Sequence, residues 1–236
     1  MTNEGYLTVS DLCRHYRRGS QVVRALDGVT ITVERGEFLS IVGSSGSGKT
    51  TLLNLMAGLD TPTSGSVELG GRSLTSLSRR QLATHRAYKT GMIFQSFNLI
   101  PHYTALQNVE TALYFNATPP RERYRMASAM LEQLGLGDRK DHHPADLSGG
   151  EQQRVAVARA IVKKPEMLFA DEPTGNLDFD NATQISSLLS SLNREGLTIV
   201  MVTHDLEIAQ RHSQRTIRMH YGKVFNQSTP SGAEHP

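Results

Sequence analysis

The stretch "FLSIVGSSGSGKTTLLNLM", residues 38–56, limits the possible folds more than any other part of the chain. Phe38–Val42 is almost wholly apolar, as expected of a strand buried on both faces of a sheet. It leads directly into Gly43-Ser44-Ser45-Gly46-Ser47-Gly48-Lys49-Thr50, which satisfies G-x-x-x-x-G-K-[ST] in full. A helix is expected to follow, through about Leu59. Strand, glycine-rich turn and helix in that order build an anion site. The glycines let backbone N–H groups turn inward, and the helix adds its positive end. Lys49 is expected to reach the β- and γ-phosphates of a nucleotide, and the Thr50 hydroxyl to ligate Mg²⁺, with Thr51 beside it in the same cradle.

Around that unit the chain alternates strands and helices. "TGMIFQ" (90–95), "MLFAD" (167–171) and "TIVMVTH" (198–204) are short apolar runs, and a helix is expected near 181–194. "YLTVS" and "GVTITVERGE" alternate apolar and polar residues instead, like strands with one exposed face. Between about 104 and 163 the pattern turns helical, so a helical segment interrupts an α/β core. The expected organisation is one domain over 1–236: a nucleotide-binding core from 1–95 and 164–228, a helical subdomain at 96–163, and a frayed tail at 229–236.

Composition narrows the function classes. A net charge of +2 supplies no strong field for nucleic acid, and no nucleic-acid partner is expected. One cysteine, Cys13, excludes an internal disulfide and fits a reducing compartment. The N-terminal residues lack the apolar stretch of a signal peptide. No run of about 18 apolar residues occurs, so any membrane role is expected to come through a partner.

Two further features carry chemistry. Asp171 and Glu172 end an apolar strand, where side chains project toward a site at the sheet's carboxyl edge. Asp171 suits a hold on Mg²⁺, and Glu172 suits a general base that polarises an attacking water. In "LSGGEQQRVAVARAIV", Val155, Ala158 and Val162 recur at helical spacing, so a helix begins at or just after Gly149 and Gly150. Ser148, Gly149 and Gly150 then offer a hydroxyl and bare N–H groups at a positive helix end, a second anion site. An ordinary serine cap is the plainer alternative. His142 and His143 lack cysteine or carboxylate companions at ligand spacing and suggest no metal.

Taken together, the motifs resemble those of the ATP-binding-cassette (ABC) ATPases over nearly the whole chain. "GSSGSGKT" looks like Walker A, "LSGGE" like the family signature, and "MLFADE" like Walker B. Gln95 matches the Q-loop glutamine, "NLD" (176–178) the D-loop, and His204 the switch histidine. The resemblance implies a P-loop, RecA-like α/β core with an antiparallel β subdomain and an inserted α-helical signature subdomain. It implies ATP and Mg²⁺ as ligands, with Thr50, Gln95 and Asp171 on the metal and Glu172, His204 and Gln95 in catalysis. Tyr16 would stack on adenine, since a base needs only an aromatic face. In this family two cassettes pair head to tail, so Ser148, Gly149 and Gly150 would grip ATP in trans and Asp178 would link the two sites.

"ADEPTGNLD" with "SFNLIPHYTALQNV" resembles a subgroup holding the lipoprotein-releasing, macrolide and peptide efflux, and septal cell-division ATPases. A homodimer on ATP binding is therefore expected. So are a permease docking near 95–115, a periplasmic adaptor reached through it, and a place on the cytoplasmic face of the membrane. Export of a hydrophobic, peptide or lipid-linked substrate is one reading. Mechanotransmission to an enzyme outside the membrane, with nothing transported, is the other.

Overall fold

Alternating apolar residues near the start produce a long antiparallel ribbon, β1 (Leu7–Arg18) against β2 (Gln21–Val33), in register from Leu7↔Val33 to Val9↔Ile31. Leu7, Val9, Ile31 and Val33 are buried, so one face of the ribbon packs inward. The computed structural model describes residues 5–19 and 21–228; the tail expected at 229–236 lies outside them. The chain divides into two compact units, Met1–Leu77 with Ser190–Pro236, and Ser78–Leu189.

The first unit contains two sheets. One has the order β2-β1-β4-β5, with β4 (Ser64–Leu69) and β5 (Arg72–Ser73) completing an antiparallel layer. The other is built on β3 (Phe38–Val42), every residue of which is buried. A parallel neighbour, β8 (Thr198–Thr203), pairs Phe38 with Ile199 and Val42 with Thr203. On its other side β3 pairs in parallel with β9 (Arg215–His220), which in turn pairs antiparallel with β10 (Lys223–Ser228). Burial on both faces explains why β3 and β8 read as continuous apolar runs. After β3 comes α1 (Lys49–Met56), which ends short of the expected Leu59; the Gly58 N–H bonds Leu55 O and the Leu59 N–H bonds Asn54 O in a tightened final turn.

The second unit extends on both sides of the helical segment read from sequence. It holds β6 (Thr90–Ile93) and β7 (Met167–Asp171), paired in parallel from Thr90↔Met167 to Ile93↔Ala170. Its helices are α2 (Arg79–Lys89), α3 (Ala105–Glu110), α4 (Pro120–Gln133), α5 (Gly149–Ile161) and the first part of α6 (Phe179–Arg194). The chain re-enters the first unit within α6 and continues through β8 and α7 (Leu206–His212). α2 carries little apolar periodicity; a capping box between Ser78 and Gln81 starts it. Among the described residues no helix is long and apolar enough to cross a membrane.

Candidate functional site: a phosphate cradle and a glutamine–carboxylate pair

The residues of the glycine-rich turn form a cradle whose shape excludes side chains. Gly48 caps α1 with φ 102°, a left-handed conformation, and no side chain caps the helix. A Cβ on Gly48 would lie 2.4 Å from Ala25 O, and one on Gly43 would lie 2.4 Å from Met219 O. Neither contact can be relieved by a rotamer change, because both atoms are backbone. α1 has no acidic residue in its first turn, so its amide dipoles meet no carboxylate of their own. Lys49, 5% exposed, donates through Nζ to Gly43 O (2.8 Å) and Ser44 O (3.1 Å), bracing the loop. Ser47 Oγ is buried with no hydrogen-bond partner among the described residues. An uncapped helix start, a buried hydroxyl and a lysine fit phosphate, and Thr50 lies exposed in that first turn with Thr51 after it.

A cleft of about 420 Å³ opens beside this loop, lined by Gly43, Ser44, His204, Arg218, His220 and Phe225 among others. It brings the expected switch histidine and the start of the phosphate loop to one opening. His204 sits between β8 and α7, where Asp205 caps the helix by accepting from the Ile208 N–H (2.9 Å). Tyr16, on β1, is 39% exposed and donates to Asp60 Oδ2 (2.9 Å). Arg14, doubly bonded to Asp60, lies 4.5 Å from the Tyr16 ring centroid. That cation lies over the tyrosine ring, a pairing of residues two apart on one strand that no motif announces.

In the second unit the chain leaves β7 through Asp171 and then turns abruptly. Glu172 has φ 44°, left-handed for a residue with a Cβ, which costs about 1–3 kcal/mol. Gln95 Nε2 and Glu172 Oε2 converge on Gly175, each 3.3 Å from where a side chain there would begin. Asn176 Nδ2 donates to Gln95 O (2.9 Å), tying the glutamine's backbone to the same turn. Asn176 was not singled out from sequence, although it stands in the quoted "NLD". The Thr50 hydroxyl in the first unit, and the Asp171 carboxylate and the Gln95 side-chain amide oxygen in the second, are each hard oxygen donors of the kind Mg²⁺ takes.

The Ser-Gly-Gly turn is a serine cap with a full capping box. Ser148 Oγ accepts from the Glu151 N–H (3.3 Å), and Glu151 Oε2 accepts from the Ser148 N–H (2.8 Å). That bond from the Ser148 N–H, with help from the Ser148 hydroxyl and Arg139 and against some desolvation, holds the Glu151 carboxyl below its ordinary pKa. Gly150 is buried, and a Cβ on it would lie 1.9 Å from Asn181 Oδ1. Asn181 in turn donates to both oxygens of Asp178 (3.0 and 2.8 Å), whose pKa is lowered first by the Asn181 backbone N–H. The asparagine, missed in sequence, thus stands between Gly150 and Asp178.

Among the described residues one trio could offer ligands to a metal: Cys13, His15 and Asp27, with donor atoms within 4.8 Å of one another. Arg24 (3.8 Å) and Lys223 (3.7 Å) already face Asp27, so a cation would meet positive charge, and we assign no metal there.

A parallel α/β core carrying a phosphate cradle, with a capped Ser-Gly-Gly helix start, defines an ATP-binding cassette. Residues 26–175 match the ABC transporter family, and the chain belongs to it as an ATPase. Within that family it falls in the MacB-like ATPase subgroup. It is 42% identical over 97% of its length to the macrolide export ATP-binding/permease protein MacB of Brucella melitensis biotype 1. It is 41% identical, also over 97%, to MacB of Brucella abortus. The chain spans about a third (35%) of the length of these relatives. Two solved structures of the ATP-binding cassette MJ0796 superpose with TM-score 0.89. One, a dimeric post-hydrolysis state bound to ADP and Pi, is 39% identical; the other, a dimeric structure described as a bacterial ABC transporter cassette, is 40% identical. Both cover 96% of this chain and 100% of the solved one.

Proposed function

We propose that this cassette hydrolyses ATP as one half of a head-to-tail homodimer and drives a membrane permease that exports or extracts a hydrophobic, peptide or lipid-linked substrate. The likeness to dimeric MJ0796 structures supports the pairing, and the relatives' name, macrolide export ATP-binding/permease protein, supports the permease and the export direction. Exposed Ile100, Tyr103, Tyr114 and Phe115 supply an apolar surface for that permease near 95–115. The cassette would then act at the cytoplasmic face of the membrane, with a periplasmic adaptor engaged through the permease.

The observation that carries the hydrolytic reading is the convergence of Gln95 and Glu172 on Gly175, with Glu172 held at a strained φ. In this reading Gly43–Thr51 and Lys49 hold the phosphates of ATP and Tyr16 stacks on its adenine. Thr50, Asp171 and Gln95 hold Mg²⁺, which when bound neutralises phosphate charge. Glu172 accepts a proton from water as the water oxygen attacks the γ-phosphorus; the bond to the β–γ bridging oxygen breaks, and ADP and phosphate leave. Gln95 and His204 orient the water and the γ-phosphate. Ser148, Gly149 and Gly150 of one copy complete the site of the other, with Asp178 linking the two.

Glu172→Gln tests this directly. Turnover is expected to fall at least about 10²-fold while ATP binding persists, and an ATP-dependent dimer should accumulate on size-exclusion chromatography. Near-normal turnover would remove Glu172 from the base role, and a monomer at saturating ATP would remove the pairing.

A further inference from the structure

Arg159, on α5, is a largely buried cation that the proposed hydrolysis does not use. Desolvation lowers its pKa, yet no carboxylate pairs with it among the described residues. Its two terminal nitrogens instead donate to successive backbone carbonyls, Nη1 to Asn98 O (2.5 Å) and Nη2 to Phe97 O (2.6 Å). Those two residues are themselves unusual. Phe97 (φ 58°) and Asn98 (φ 50°) are consecutive left-handed residues with side chains, in a tight turn where the Asn98 N–H bonds Ser96 O (2.5 Å). Such a turn persists only when its surroundings over-determine it. The planar guanidinium fork supplies that, because it meets both carbonyls from one fixed plane.

The turn begins immediately after Gln95, whose own carbonyl accepts from Asn176 Nδ2 (2.9 Å). Gln95 is therefore held on both flanks, by the segment leading into α6 and, through Arg159, by α5. α5 is itself fastened near its start, where buried Gln153 Nε2 donates to Pro173 O (2.6 Å), one residue past Glu172. We propose that Arg159 is a positioning residue that pins the turn after Gln95 to α5, so that a displacement of the helix beginning at Ser148 is passed to the Gln95 side chain. This rests on the role of Gln95 in hydrolysis proposed above.

The test compares Arg159→Met, Arg159→Lys, Gln95→Ala and the Arg159→Met/Gln95→Ala double variant in the full chain. Amide exchange over 96–99 should quicken about tenfold in Arg159→Met while the rest of the unit stays protected. ATP affinity should stay within about twofold and kcat fall about tenfold. Lysine, which keeps the charge but not the fork, should restore little of either, and it remains available if the methionine variant fails to fold. Adding Gln95→Ala to Arg159→Met should cost no further kcat, because both changes remove one unit. Unchanged exchange over 96–99, full rescue by lysine, or multiplying losses of kcat would overturn the proposal. If Gln95→Ala alone leaves turnover intact, the reading of Gln95 fails instead, and the exchange rates by themselves decide whether Arg159 holds the turn.

Discussion

Two glycine-rich turns each start a helix in this protein, and they treat the helix end in opposite ways. At α1 no side chain caps the first turn and no acid lies in it, while Gly43 and Gly48 press against backbone. At α5 Ser148 and Glu151 cap each other, and Glu151 sets a carboxylate in the first turn. The first end keeps its dipole for an anion from outside and adds Lys49. The second already satisfies part of its own, and Gly150 ties it to Asn181 and Asp178 instead of to a lysine. Two helix starts of one motif type therefore differ in how much of their own dipole they already satisfy. In the proposed reading the first holds a phosphate by itself, and the second makes a late contact shared with another chain.

The contrast between the two turns is most easily abolished at Gly48. Gly48→Ala forces a Cβ to within 2.4 Å of Ala25 O at φ 102°. Strain and overlap together are expected to cost about 2–5 kcal/mol and to lower ATP affinity at least about 100-fold, read by nucleotide titration and thermal melting. Because this variant could also unfold, Lys49→Ala accompanies it, a change that adds no Cβ clash and removes the cation together with its bonds to Gly43 O and Ser44 O. If both variants bound ATP as the parent does, α1 would be no more an anion site than α5.

Gly150→Ala probes the second turn with a smaller effect. Here the obstructing atom is Asn181 Oδ1, the end of a side chain, so it can swing away. In doing so it releases the two bonds to Asp178, at an expected cost of about 1–2 kcal/mol. ATP affinity of the isolated chain should be unchanged while hydrolysis falls about tenfold or more. A loss of affinity equal to that of Gly48→Ala would mean that the two turns act on nucleotide in the same way.

How legible these sites were follows from how local their chemistry is. The cradle could be read because strand, glycines, lysine and helix are contiguous, and backbone sterics alone dictate the glycines. The start of α5 was equally plain, from apolar spacing after Ser148. What stayed hidden was side-chain contact: Arg14 over Tyr16, Asn181 against Gly150, Arg159 on the carbonyls of Phe97 and Asn98. Each is a polar side chain meeting a partner set by packing, and polar residues in loops and on helix faces carry no periodic signal. α2 escaped for a related reason, since Arg79, Arg80, Arg86 and Lys89 dominate it and leave no apolar stripe.

The smallest expected effect separates the two helix ends by charge alone. Glu151→Gln keeps the capping geometry, since glutamine also accepts from the Ser148 N–H, but removes the carboxylate from the first turn of α5. The loss at neutral pH should be about 0.5–1 kcal/mol, from the dipole and the Arg139 pair (3.2 Å). Because the Glu151 carboxyl titrates below its ordinary value in the folded chain, its stabilisation is complete above the usual glutamate pKa of about 4.3. It is lost as the pH falls through the lower folded-state value, where the unfolded chain already holds the proton. Parent and variant stabilities, measured by denaturant melts, should therefore differ at pH 7 and converge in acid. α1 has no acid in its first turn to protonate, so Thr51→Ala, a neutral change there, should shift stability equally at both pH values. A difference for Glu151→Gln that persists in acid would mean that the carboxylate contributes shape rather than charge, and that the contrast between the two helix ends lies in their packing.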